Sequence, residues 1–202
     1  MLEKFRRVWT KVITPIAKGL LKVHITPDTV TWVGTIASVV IALLCFPRGW
    51  LWPGALGCGV FVLADSLDGT MARLSGKSSK WGAFLDSTLD RLNDGAIFGS
   101  IALYYAGDPS TRVWCGVAIA ALVFGQVTSY TKARGESLGY QVNAGIAGRA
   151  DRLVIGLLGA LLTGVGLALA LPIALVILLV LGVATVGQRM AIVARQYHKE
   201  DE

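Results

Sequence analysis

Charge is scarce in this chain. Asp, Glu, Lys and Arg make up 16% of the 202 residues, against about 25% in an ordinary soluble domain. Together with 54% hydrophobic residues and a mean hydropathy of +0.62, this shortage excludes a typical soluble globule. The apolar residues fall in blocks, which points to a polytopic membrane protein. Cysteine is scarce as well. Cys45, Cys58 and Cys115 stand singly inside apolar runs, so neither a disulfide framework nor a zinc site is expected. The chain has no Ser/Gly/Pro-rich linker, and one unit is expected over residues 1–202. The first 24 residues, MLEKFRRVWTKVITPIAKGLLKVH, are too basic and too interrupted for a cleavable signal peptide. The net charge of +6 gathers at the ends of apolar segments. That is the pattern of a protein facing an anionic leaflet, not of a nucleic-acid binder.

What is present is a series of apolar segments. A hydrocarbon core of about 30 Å needs about 20 helical residues. Thr29 to Pro47 supplies 19 without a charge. A second segment runs from Gly49 through Ala64 into an acidic stretch. A third starts polar near Trp81 and turns apolar from Gly95 to Gly107, and a fourth covers Val113 to Thr131. Leu153 to Gln188 holds 36 uncharged residues, about 54 Å as one helix, so a break is expected near Leu171-Pro172. The expected fold is therefore an all-α integral membrane protein with six transmembrane helices over residues 25–197. Ahead of them, Leu2, Phe5, Val8, Trp9, Val12, Ile13, Ile16, Leu20 and Val23 recur at helical spacing among basic residues. Residues 1–24 thus read as an amphipathic helix on the membrane surface, and 198–202 as a polar tail. With the amino terminus cytoplasmic, only Arg48 and Arg112 of the 19 Lys and Arg fall on the far face. A multi-pass cell-membrane protein with both termini inside follows from that bias.

The stretch DSLDGTMARLSGKSSKWGAFLDSTLD, residues 65–90, is where carboxylates are least expected. Asp65 and Asp68 lie three apart and Asp86 and Asp90 four apart, so each pair shares a helix face. Gly76, Lys77, Ser78 and Ser79 form a turn between them, and an antiparallel hairpin would bring the pairs face to face. Four carboxylates that converge in a partly desolvated place must protonate or be neutralised by cations. Hard divalent cations with oxygen ligands meet that need, and Mg²⁺ takes one or two carboxylates together with phosphate oxygens and water. Two ions about 3.5–4 Å apart would clamp a pyrophosphate. Gly69 and Ala72 leave room for a ligand against the helix, and Arg73 can fork onto phosphate. The competing reading is a cation transporter or channel built on the same acids. It would need a polar path through the outer halves of the second, third and fifth spans, and those are apolar.

The pattern D-x₂-D-G-x₂-A-R-x₈-G-x₃-D-x₃-D is met without departure by Asp65, Asp68, Gly69, Ala72, Arg73, Gly82, Asp86 and Asp90. It resembles the signature of the CDP-alcohol phosphotransferases, membrane enzymes of phospholipid head-group transfer. The resemblance implies that Asp65, Asp68, Asp86 and Asp90 hold two Mg²⁺ (or Mn²⁺) ions, with Asp90 also the general base. It further implies that Gly69, Ala72 and Arg73, with Asp28, Thr29, Val30, Thr31 and Ser79, contact CDP-diacylglycerol. Where this chain has Asp28 the family pattern often has Asn. An alcohol would attack the β-phosphorus and CMP would leave. The resemblance also implies a homodimer.

The acceptor must meet these groups from the last three spans, whose cytoplasmic ends carry Ser129, Lys132, Arg134, Arg149, Arg152, Arg189 and Arg195. So many cations suit an acceptor with a phosphate of its own. SYTKARGESLG (129–139) and GRADRL (148–153) are similar to the actinobacterial-type phosphatidylinositol phosphate synthases within the family. That likeness implies inositol phosphate as acceptor, its phosphate held by Ser129, Lys132, Arg134, Arg152 and Arg189. Glycerol 3-phosphate is the alternative acceptor, which would make the chain a phosphatidylglycerophosphate synthase.

Overall fold

The basic leader is helical, as its periodicity predicts, and forms α1 (Leu2–Lys22). Thr26 then accepts the backbone N–H of Thr29 at 3.2 Å, and Pro27 takes the first helical position, so helix α2 (Pro27–Cys45) starts cleanly. A 3₁₀ turn at Phe46–Arg48 leads into α3 (Leu51–Leu74), which carries the first aspartates to its carboxyl end. Ser79 accepts the N–H of Gly82 at 2.9 Å and opens α4 (Lys80–Ala106). After a second 3₁₀ turn come α5 (Arg112–Ser137), α6 (Arg149–Gly164) and α7 (Ala170–Glu200). The computed structural model describes residues 2–76 and 79–200, with side chains from residue 12 onward apart from those at 64, 65 and 200. Among the described residues there are seven α-helices and no strand. Lys77 and Ser78, named above as part of the hairpin turn, lie outside them.

The long uncharged run breaks at residues 165–169, just ahead of Leu171-Pro172 and so near the expected place. Gly166 takes φ +111 there, a conformation that disfavours any other residue. The Thr163 hydroxyl accepts the N–H of Leu171 at 2.9 Å and starts the next helix. Pro172 falls in the first turn of α7, where its missing N–H is not needed. At the far end, residues 198–200 continue α7.

The helices pack as α2 on α3 and α4, α5 on α4 and α7, and α6 on α3 and α7. Phe46, Leu51, Cys58, Ile97, Ile101, Leu153, Leu171, Leu175 and Leu178 form the buried centre. A Cβ at Gly159 would stand 2.6 Å from that of Ala174, so glycine lets α6 and α7 touch. Helix α1 docks onto α3, with Ile13 and Ala17 against Leu67 and Met71. The outward faces are greasy. Helix α2 buries Thr31, Ser38 and Ala42 while exposing Trp32, Val33, Ile36, Val40 and Leu43, the inverse of a helix in water. Among the described residues four segments are long and apolar enough to cross a membrane: Pro27–Arg48, Leu51–Leu74, Pro109–Ser137 and Ala170–Lys199.

Candidate active site

The motif residues meet where α2 begins, α3 ends and α4 begins. Pro27, Asp28, Thr31, Asp68, Gly69, Ala72, Arg73, Ser79, Gly82 and Asp86 line one cavity of about 270 Å³. Three helices contribute because α2 and α4 start at the edge where α3 finishes. The direct α3–α4 hairpin expected from the sequence is not what brings them together: α2 packs against both helices and stands between them. Asp28 and Ser79 also hold the rim together. The Trp81 indole N–H donates to Asp28 Oδ2 at 3.1 Å, tying α4 to α2, and Ser79 caps α4. Thr31 donates to Asp68 Oδ2 at 2.5 Å, which fixes that carboxylate although its side chain is 8% exposed.

A second cavity of about 250 Å³ lies on the other side of Thr31 and Asp68. Thr29, Val30, Thr31, Asp68, Asp90 and Arg149 line it together with apolar residues such as Leu20, Ile25, Val33 and Phe61. Asp68 and Thr31 therefore belong to both cavities. Asp68 shares one cavity with Asp86 and the other with Asp90. The Asp65 side chain lies outside the described residues, but its backbone is on α3 one turn before Asp68. The donors are all oxygens, the set preferred by a hard divalent cation and not by a soft one, so the residues fit the ions that the sequence calls for. Among the described residues no three acidic, histidine or cysteine side chains already stand close enough to hold one.

Asp90 is held from the side. Arg149 donates to its Oδ1 at 2.7 Å and Arg91 approaches its Oδ2 at 3.4 Å. Arg149 also donates through Nε to Asp94 at 3.1 Å, and Arg152 stands 3.9 Å from the second oxygen of Asp94. One turn of α4 thus presents two carboxylates to two guanidinium groups of α6. Sequence reasoning gave Arg149 no role beyond its charge and passed over Asp94. Its signal was the four-residue step that extends Asp86 and Asp90 to Asp94 on one helix face.

The acceptor residues are only partly gathered. Arg152, 5% exposed, reaches the Ser129 hydroxyl at 3.4 Å, with Gly125 leaving the space its side chain occupies. Arg189 is close by but anchors the 138–148 loop, donating to the carbonyl of Ala144 at 2.8 Å and to that of Thr128. Lys132 pairs with Glu136 at 3.7 Å. Arg134 donates to Ser137 at 3.4 Å and lines an apolar groove with Tyr130, Tyr140 and Tyr197.

Comparison with known proteins identifies the family and the fold. The family model described as CDP-alcohol phosphatidyltransferase matches residues 24–187. A phosphatidylinositol phosphate synthase of Cutibacterium acnes is 52% identical over 96% of this chain and 98% of its own length. One from Streptomyces avermitilis is 47% identical, covering 100% of this chain and 86% of its own. The crystal structure of the Mycobacterium tuberculosis phosphatidylinositol phosphate synthase with CDP-DAG bound superposes with a TM-score of 0.86 at 42% identity, over 91% of this chain and 94% of that one. The same enzyme in complex with manganese and citrate gives a TM-score of 0.86, again at 42% identity, over 90% of this chain and 88% of that one.

Proposed function

The chain belongs to the CDP-alcohol phosphatidyltransferase family, and from that premise we propose that it transfers the phosphatidyl group of CDP-diacylglycerol to inositol phosphate, releasing CMP. The observation that carries this reading is the cavity shared by Asp28, Thr31, Asp68, Gly69, Ala72, Arg73, Ser79 and Asp86. It combines small residues, a guanidinium and carboxylates, the set required for a metal-bound pyrophosphate. The likeness to enzymes named phosphatidylinositol phosphate synthase supports the acceptor.

Asp65, Asp68, Asp86 and Asp90 would hold divalent cations, two Mg²⁺ by preference, with Mn²⁺ as the ion already seen in a relative. When bound, such ions supply Lewis-acid polarisation of the pyrophosphate. Thr31 keeps Asp68 oriented. Arg73 pairs with phosphate oxygens, and the bare backbone at Gly69 and Ala72 admits the nucleotide. The apolar wall of Leu20, Ile25, Val33 and Phe61 beside Asp68 suits the glyceride end of the donor. Asp90 accepts the proton of the attacking hydroxyl, while Arg152 and Ser129 orient the acceptor phosphate, with Lys132, Arg134 and Arg189 adding positive charge around it.

The proposed setting is the cell membrane, with six spans. Helices α4 and α6 join the four long apolar segments because each lies between two of them. Residues 1–24 lie along the cytoplasmic leaflet, both termini and the catalytic cleft face inward, and the protein works as a homodimer. The deciding experiment uses purified protein with CDP-diacylglycerol, a divalent cation and a panel of alcohols. CMP release with inositol phosphate and not with glycerol 3-phosphate is expected. Preference for glycerol 3-phosphate would make it a phosphatidylglycerophosphate synthase, and silence with every alcohol would sink the transferase reading.

A further inference from the structure

Arg149 links two parts of the site that the reaction must bring into step. Its guanidinium donates to Asp90 at 2.7 Å and to Asp94 at 3.1 Å. Asp94 is 4% exposed, and a carboxylate so deeply buried is costly unless a cation stays with it. Arg91 on α4 adds positive charge nearby. Arg152 is the other α6 guanidinium in reach, but at 3.9 Å its hold on Asp94 is long, and it leans also on Ser129 at 3.4 Å. Asp90, Arg149, Asp94, Arg152 and Ser129 thus form one continuous chain of polar contacts. It begins at the proposed base and ends at the proposed acceptor-phosphate pair.

We propose that Arg149 is a positioning residue that keeps Asp90 ion-paired until the acceptor phosphate arrives. The proposal rests on the reading of Arg152 and Ser129 as acceptor-phosphate groups. A phosphate bound there draws the charge of Arg152 away from Asp94. Asp94 is the more buried of the two carboxylates that Arg149 serves, so it then claims Arg149 fully, and Asp90 loses its ion pair within the cavity it lines with Asp68. The gain is selectivity against water. With Asp90 free at all times, a water oxygen could bond to the β-phosphorus and pass one proton to Asp90. The bond to the CMP oxygen would break, leaving phosphatidic acid and CMP without transfer.

The test measures CMP and lipid product separately, with and without inositol phosphate. Arg149→Lys keeps a cation for Asp94, so the fold is supported, but a point charge cannot bridge two carboxylates as a planar fork does. The parent protein is expected to give CMP and phosphatidylinositol phosphate one to one, and almost no CMP without acceptor. In the Arg149→Lys protein acceptor-free CMP release should rise about tenfold relative to transfer, the order of one charge-assisted contact. Asp94→Asn, which removes the competing carboxylate, should have the opposite effect and lower the transfer kcat with no rise in hydrolysis. One-to-one stoichiometry in Arg149→Lys, or hydrolysis in Asp94→Asn, overturns the proposal. Arg152→Ala keeps the two failures apart. An unchanged acceptor KM in that variant refutes the acceptor reading itself, whereas a raised KM beside a fully coupled Arg149→Lys protein refutes only the role of Arg149.

Discussion

Asp68 stands where two cavities meet, held by Thr31 at 2.5 Å and lining both. No other described acid is shared in this way, so it is the carboxylate whose loss should cost most. Asp68→Asn keeps the volume and removes the charge. Its kcat for CMP release should fall about 10²–10³-fold, as when a group that stabilises developing charge is removed, while far-UV circular dichroism stays unchanged. Arg189 makes a different prediction. Its fork is engaged by the carbonyls of Ala144 and Thr128, so Arg189→Lys loses contacts that a lysine cannot reproduce. The expected result is a lower Tm in detergent, by about 1–3 kcal/mol of stability for the two bonds, accompanied by a higher acceptor KM as the 138–148 loop loosens. The sequence marked both residues by type and place. It could not tell that Arg189 grips backbone, because that depends on a loop that returns to α7 from 45 residues earlier.

Among the elements, α6 and α7 meet closely. Gly159→Leu would drive a side chain into Ala174, which a Cβ alone would approach to 2.6 Å. Overpacking of this kind costs about 1–3 kcal/mol, so a lower Tm is expected with the metal dependence of activity unaltered. Helix α1 is tested in the same spirit. Ile13, 5% exposed, sits on Leu67 and Met71 of α3, the helix that bears Asp65 and Asp68. Ile13→Asp should detach the leader and raise the KM for CDP-diacylglycerol, because Leu20 and Ile25 at its end line the cavity beside Asp68. Wild-type donor KM in that variant would confine α1 to membrane attachment. The helices were legible in the residues because hydrophobic blocks, hydroxyl caps and prolines mark them. The break near Leu171-Pro172 was legible as well; that it centres on Gly166 was not, because the proline carries an equally good local signal.

For the whole molecule the predictions concern ions and sidedness. Chelation with EDTA should abolish CMP release, and Mg²⁺ or Mn²⁺ should restore it, since an oxygen-only donor set has little affinity for softer metals. In sealed inverted membrane vesicles external inositol phosphate should be consumed, whereas right-side-out vesicles should leave it untouched. The reverse would put the cleft on the outer face and overturn the orientation drawn from the basic residues.

Composition, the spacing of the aspartates and the caps of the helices were enough to specify a helical membrane protein and to single out residues that line one cavity at the end of α3. Those features depend on short-range rules: the pitch of a helix, the length that spans a bilayer, and the three- and four-residue steps that put side chains on one face. The couplings between distant segments came from packing. Asp28 bonded to Trp81, Asp90 drawn to Arg149, and Asp94 placed between Arg149 and Arg152 all join helices whose relative height and rotation no local pattern encodes. A buried carboxylate takes whichever cation the neighbouring helix delivers to it, and that choice is made only when α4 and α6 come together.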